Sequence, residues 1–308
     1  YYNNYLNMSI LYKINKYSGT YLFNEPNTLT YSLFNFLYNK FIINLDGADE
    51  EIKYFHENGY FKPKINFKNE VYQLNNVIEI DNVDNNQSQF KFSLNSNSIQ
   101  IIKKLLNSKK FLDLKDKLEK YFNSHMYLID VKVARNFPIE KKIEHKMNLY
   151  SNNYHVDYYT VNFFKMFINL HDVDDTQGPM NFYSKKNSKK FIKFNNYKDR
   201  SNYNLRNEKE LGLVKNTGSS GDLLICSTPQ CLHRATSPNI GKHRDMLFLS
   251  FAVTSEKNEQ NGSLYSFEKK NFDDIWNCTS VLSKKLCKPK SFREQIKNFR
   301  KFFKNKII

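Results

Sequence analysis

Between residues 126 and 254 one pattern recurs four times: an apolar run of strand length, then turn-rich polar sequence. The runs are "MYLIDVKVARNF" (126–137), "VNFFKMFINL" (161–170), "DLLICS" (222–227) and "DMLFLSFAVT" (245–254). Their apolar and β-branched residues suit strands. The pieces "TQGP", "TGSSGD" and "SPNIGK" supply Gly, Pro and Asn where a chain reverses direction. Helical periodicity dominates before residue 126. Helices followed by a β-rich half predict an α+β chain with an antiparallel β core.

The helical part has two clear segments. In "DEEIKYFHENGYFK" (49–62) Asp49 can cap a helix, Ile52 and Phe55 share a face, and Gly59 can end it. "GYFKPKINF" then reads as extended. "SIQIIKKLLNSKKFLDLKDKLEKYF" (98–122) reads as one helix, with Leu114, Leu118 and Phe122 spaced by four. Residues 1–45 have weak periodicity, and the Asn-rich 80–97 reads as loop. The polar, Lys-rich stretch 183–220 is too long for an idle loop, which predicts a lid at a binding site. The tail "SFREQIKNFRKFFKNKII" (291–308) opens with a Ser-x-x-Glu capping box. It places Phe292, Ile296, Phe299 and Phe303 on one face. It reads as a helix packed on the core, the alternative being a basic amphipathic helix on a membrane surface. We therefore expect a single domain over 1–308. Residues 1–125 are its mostly helical part, 126–255 its β core and 256–308 a C-terminal helical extension.

The formal charge of +16 raises nucleic-acid binding, but only seven of the 47 basic residues are Arg. Arg is the residue suited to bidentate contacts with bases and phosphates. The charge therefore reads as a solvated lysine surface, with an attraction for anionic substrates left open. Lys185, Lys186, Lys189 and Lys190 concentrate it on the expected lid. Cys226, Cys231, Cys278 and Cys287 form no CxxC pair, which argues against a zinc ribbon. They imply a reduced, intracellular setting, read here as cytoplasmic. No run approaches the roughly 20 apolar residues of a membrane span, and these residues contain no signal-peptide pattern.

The chemistry centres on His-x-Asp. With seven His and 31 acids, chance yields roughly 0.7 His-x-acid triplets, so one alone decides nothing. The chain has two, His155-Val156-Asp157 and His243-Arg244-Asp245. A two-His-one-carboxylate metal site needs a further histidine, and only the first triplet has histidines after it. Residues i and i+2 of a strand share a face, so His155 and Asp157 can meet one metal. His233 is the best distal ligand. It lies in "GDLLICSTPQCLHRATSPNIGKHRDMLFLSF", which reads as a hairpin turning at "SPNIGK". That hairpin would set Arg244 beside His233, where its fork could grip a dicarboxylate whose other end sits on the metal.

Plainer readings stay open at each position. His155 and Asp157 could bond to backbone at a strand end, and His233 could be a buried turn residue. Arg244 could pair with Asp245 or a neighbouring acid. His171, in "LHDVDD", reads as a solvated loop residue, and His56, His125 and His145 read as structural. "TGSSGD" lacks the Lys-Ser/Thr of a phosphate loop and precedes a strand, so it is not one.

In order along the chain, these pieces resemble the phytanoyl-CoA dioxygenase family of iron(II) and 2-oxoglutarate oxygenases, over about residues 49–254. "EEIKYFHENGYFK" is similar to the family's opening helix. "HVD" is similar to its first two ligands, and "FFKMFINLHDVDDTQGPM" to its next strand and Gly-Pro turn. "GD…H…R", with eleven residues from His233 to Arg244, is similar to the distal ligand and the co-substrate arginine. The resemblance implies a double-stranded β-helix, a jelly-roll or cupin-like barrel with helices at both ends. It implies Fe(II) on His155, Asp157 and His233, which are then the catalytic residues. It implies 2-oxoglutarate on Arg244, with Phe167 flanking it, and O2 as the second co-substrate. The implied reaction is hydroxylation of a small-molecule or carrier-linked substrate, with release of succinate and CO2. Asp157 stands where related halogenases lack the acid, which favours hydroxylation; desaturation and ring closure stay open. The family's Pro-Gly-Ser-His is replaced here by "YSKKNSKKF", so the pocket rim differs. The alternatives are a non-catalytic binding protein on a decayed oxygenase fold and a basic nucleic-acid-binding protein.

Overall fold

The computed structural model describes residues 29–78, 89–123, 125–139, 153–157, 161, 163–194 and 212–254. The expected C-terminal helix, His145, Cys278 and Cys287 lie outside them. Among the described residues five helices precede most of the strands: α1 (Leu29–Phe41), α2 (Glu50–Asn58), α3 (Lys68–Asn75), α4 (Ser96–Leu106) and α5 (Lys109–Phe122). The weakly periodic N-terminal region thus contains α1.

α2 forms as its sequence predicts. Asp49 accepts a hydrogen bond from the Ile52 amide at 3.0 Å, and Gly59 closes the helix at φ 78°. Ile52 and Phe55, three residues apart, are both buried. Phe55 packs edge-on against Phe61, Tyr121 and Phe164. Gly59 meets a second demand. A Cβ there would come 2.7 Å from the Cys231 sulfur. The end of α2 therefore lies directly on the segment that leads to His233.

The single helix expected over 98–122 is two, α4 and α5. The break follows from local capping. The Asn107 amide bonds back to the Lys103 carbonyl, and Ser108 is extended, at ψ 145°. The chain restarts there so that Phe111, Leu114 and Leu118 can bury, beside Leu105 and Leu106 of the first helix.

Among the described residues the strands form two antiparallel sheets. The larger has the order β1 (Tyr60–Phe61), β7 (Leu223–Cys226), β4 (Phe163–Asn169), β9 (Arg244–Thr254), β3 (His125–Asn136) and β2 (Gln89–Lys91). The smaller has β6 (Val214–Lys215), β5 (Asn181–Phe182) and β8 (His233–Arg234). Strand alternation divides the large sheet's residues between its faces. Phe164, Met166, Ile168, Leu247, Leu249 and Phe251 join the helices in the main core. Phe167, Leu224, Cys226 and Met246 point the other way and meet Met180, Phe182 and Cys231 of the small-sheet side. The interior between the sheets is lined by these second faces.

Two expectations need correction. "SPNIGK" is not a hairpin turn. β8 pairs with β5, and β9 pairs with β3 and β4. A two-residue strand has little to offer an eleven-residue one. β9 instead matches β3 almost throughout, from Asn136↔Arg244 to His125↔Thr254. The 235–243 segment is a crossing between sheets, pinned where the Asn239 amide donates to Thr176 O. The start of the Lys-rich stretch is also no structureless loop, because Lys185–Phe194 is a helix, α6. Phe191 of α6 is fully buried with Tyr154, Val156, Tyr183 and Leu232, and the Lys185 ammonium donates to the His56 carbonyl at 3.1 Å. Residues 195–211 of that stretch lie outside the described ones.

Candidate metal centre

His155 forms an isolated antiparallel bridge with His233 at the edge of β8. Each residue's amide donates to the other's carbonyl at 2.9 Å. Residues paired in this way point to one face, and the two rings lie 4.3 Å apart, centre to centre. Extended backbone through 154–157 separates the neighbours. Tyr154 and Val156 pack outward with Phe191 and Leu232, while His155 and Asp157 turn inward, two residues apart. The Asp157 amide is held by the Thr228 carbonyl at 3.1 Å.

Each of the three side chains offers one ligand atom, and those atoms all lie within 4.8 Å of one another. His155 Nε2 is 3.9 Å from Asp157 Oδ1, and His233 Nε2 is 4.0 Å from Oδ2. The rings' other nitrogens are held by backbone. His155 Nδ1 bonds to the Asn153 carbonyl at 2.7 Å, and His233 Nδ1 to the Cys231 carbonyl at 2.9 Å. A carbonyl only accepts, so Nδ1 carries the hydrogen, and a neutral ring then holds its lone pair on Nε2. All three residues are buried. Burial pushes the Asp157 carboxyl up, but the charge of Lys165, with His233 and His155, holds it well below the usual carboxylate range. Lys165 Nζ lies 2.7 Å from Asp157 Oδ2.

Support comes from behind. The Ser188 hydroxyl of α6 accepts from the Leu232 amide at 2.8 Å, one residue before the distal histidine. The first helix of the expected lid therefore braces the site from outside the small sheet.

Cys226 does not fall within ligand distance of this group, and burial, then Cys231, pushes its thiol well up. The described donor set is two imidazoles and one carboxylate, which suits non-haem Fe(II). A second grouping, His171, His243 and Asp245, also falls within ligand distance, but two of its three members are committed. His171 Nδ1 donates to Asp172 O, and its Nε2 accepts from the Asp245 amide. Arg135 binds the Asp245 carboxylate through two bonds of 2.7 and 2.6 Å. His171, expected to be solvated, is a tether between β9 and the turn after β4.

Arg244 does not pair with Asp245, which alternation sends to the opposite face. Arg244 is 3% exposed, and its Nε and Nη1 have no hydrogen-bond partner among the described residues. Burial lowers it to about 10. On β9 it shares the interior face with Met246 and Phe248. Phe167 is opposite Phe248 in register and meets it edge-on at 5.5 Å. Arg244 and His233 thus lie on strands of different sheets, not along one hairpin.

The sequence reading missed Lys165. A lone charged residue within the mostly apolar "VNFFKMFINL" was the available signal. The Asn153 and Cys231 carbonyls that orient the rings left no signal, because backbone acceptors are the same at every residue.

No family model matches the chain, and no curated protein matches it. Solved structures with a similar outline include HygX from Streptomyces hygroscopicus with nickel and 2-oxoglutarate bound. It has 11% identity over 67% of this chain and 87% of that one, at a TM-score of 0.46. SnoN from nogalamycin biosynthesis, an alpha-ketoglutarate-dependent epimerase, has 11% identity over 68% and 84%, at 0.44. EctD from S. alaskensis with 2-oxoglutarate and 5-hydroxyectoine has 14% identity over 67% and 76%, at 0.40. Likenesses this loose do not transfer a residue's role, and the functional reading rests on the site's own geometry.

Proposed function

We propose that the chain is an Fe(II)- and 2-oxoglutarate-dependent oxygenase on a double-stranded β-helix. The observation that carries this reading is the pairing of two features on facing sheets. One is a buried two-His-one-carboxylate cluster with its ligand atoms within 4.8 Å. The other is a buried guanidinium with unpartnered donors. A buried cation of this kind calls for an anion, and a fork of N–H donors matches a carboxylate.

His155, Asp157 and His233 would hold the iron. Three ligands on one side of a metal leave positions open for a chelating co-substrate and O2. Arg244 would receive the far carboxylate of 2-oxoglutarate, and Phe167 would flank its chain. When bound, iron and 2-oxoglutarate supply an oxidation of substrate coupled to loss of CO2 and release of succinate. The protein's own part is orientation and exclusion of water. The Asn153 and Cys231 carbonyls hold the imidazoles. Lys165 keeps Asp157 ionised, and the apolar cluster around Phe167, Met246 and Phe182 keeps the interior dry. The acid at 157 occupies the place a halide would need, so hydroxylation of a small-molecule or carrier-linked substrate is the reaction favoured.

Anaerobic addition of Fe(II) and 2-oxoglutarate should produce the weak visible charge-transfer band of the chelate. His155→Ala and His233→Ala should each abolish it. Folded, iron-loaded wild-type protein that shows no band would overturn the reading.

A further inference from the structure

Beyond the metal ligands and Arg244, three partly buried charged side chains share the interior face of the large sheet. Asp130 and Lys132 lie on β3 and Lys165 on β4, the strands on either side of β9. Lys132 is opposite Phe248, while Asp130 and Lys165 are both opposite Ser250. Opposed residues project to the same face. Phe248 packs against the interior cluster with Phe167 and Met246, so all three charged residues face that interior. Lys132 Nζ stands 5.1 Å over the Phe248 ring and bonds the Gln89 side-chain oxygen. Gln89 donates in turn to Asn136 at 2.9 Å, which fixes its oxygen toward the lysine. These charges act on one another. Burial raises Asp130 against the pull of Lys165, Lys132 and Lys91. Burial, then Lys91 and Lys165, lowers Lys132 to about 8.

Lysines inside a sandwich lose hydration, and an anion restores what they lose. Two of them, Lys132 and Lys165, with the buried Arg244 on the same face, stand against two acids, Asp130 and Asp157. Asp245 of β9 points to the other face and is taken by Arg135. Iron with 2-oxoglutarate would leave this balance unchanged, since a dication meets a dianion. A positive surplus therefore remains beside the metal ligands among the described residues.

We propose that Lys132 and Lys165 form an anion subsite for the substrate, so that the molecule oxidised here carries a carboxylate or phosphate group. The proposal rests on the oxygenase reading and narrows its substrate class. Lys165 lies at the metal end of the subsite, touching Asp157, and Lys132 at the far side of β9. An anionic group between them would hold the rest of the substrate against the open metal positions.

The test uses the full chain, loaded anaerobically with Fe(II) and 2-oxoglutarate and titrated at low salt with inorganic phosphate and, separately, with acetate. One of the two anions should bind saturably, one per chain, and which one does so identifies the group. Lys132→Gln should weaken that binding about tenfold or more, as loss of a charge-assisted contact predicts. Lys132→Arg should keep it within a few-fold, and both variants should keep the chelate band. Saturable binding of neither anion, or wild-type binding by Lys132→Gln, refutes the subsite while leaving the oxygenase reading in place. A wild-type protein that forms no chelate refutes the oxygenase reading and this proposal with it.

Discussion

Replacing Arg244 with methionine should act in opposite directions on the ligand-free protein and on its co-substrate complex. In the ligand-free protein the guanidinium is buried with two unsatisfied nitrogens. Its fall to about 10, well below the ordinary arginine value, is caused by burial alone. The native state therefore holds that proton less tightly than the unfolded chain does. Both states are protonated at neutral pH, so the cation costs the native state on the order of 3 kcal/mol. Methionine keeps the length and apolar stem and removes the charge. The ligand-free variant should be as stable as wild type or more stable by roughly 1–3 kcal/mol, measured by urea denaturation. The same change deletes one or two charge-assisted bonds to the 2-oxoglutarate carboxylate, each worth about 1.5–3 kcal/mol. Co-substrate affinity should fall by roughly 10- to 100-fold or more, read from the chelate band, with Fe(II) affinity little changed. Two results would refute the reasoning: unchanged 2-oxoglutarate affinity, or a ligand-free variant destabilised by several kcal/mol. The second would make Arg244 a structural residue.

Lys132, lowered to about 8, carries a pH signature. Its native-state value lies below its unfolded value, so its contribution to stability is present above the unfolded value and is lost as pH falls toward 8. Between pH 8 and 10 wild-type melting temperature should rise relative to Lys132→Gln, and parallel curves would show that the group is not buried as described. Gly178→Ala should destabilise the fold by more than the roughly 1–2 kcal/mol of a left-handed alanine. At φ 66° its Cβ would also meet Thr236 O and the Pro238 nitrogen at 2.5 Å. Denaturation within 0.5 kcal/mol of wild type would contradict that crossing geometry. Asp49→Ala removes the cap on Ile52 and a 2.6 Å ion pair with Lys117. It should cost about 1 kcal/mol by the same assay, with most of the loss due to the cap; no loss would mean that α2 is held by packing alone.

How much of this was legible varies with the range of the interactions involved. Asp49 and Gly59 mark the ends of α2 in sequence because capping is local. Leu114, Leu118 and Phe122 declare a buried face because helical spacing is local too. The break at Asn107-Ser108 was missed because no Gly or Pro marks it. The His-x-Asp pair could be read because i and i+2 of an extended segment share a face wherever that segment lies.

Partner choice was not legible. Nothing local distinguishes β8 and β9 folding back on each other from the two strands going to different sheets. The decision falls to eleven residues of β9 finding β3 and β4, and to two residues of β8 finding β5 and His155. The sequence by itself determined the residue types that a metal and a dicarboxylate need, their order along the chain, and the antiparallel β class. Tertiary structure alone decided that His155 and His233 share a hydrogen-bonded pair, that α6 stands behind them, and that Arg244 looks inward while Asp245 looks out. It also decided that Lys132 and Lys165 face the same interior. Side-chain direction in a sheet depends on register, and register is set by contacts between residues far apart in the chain.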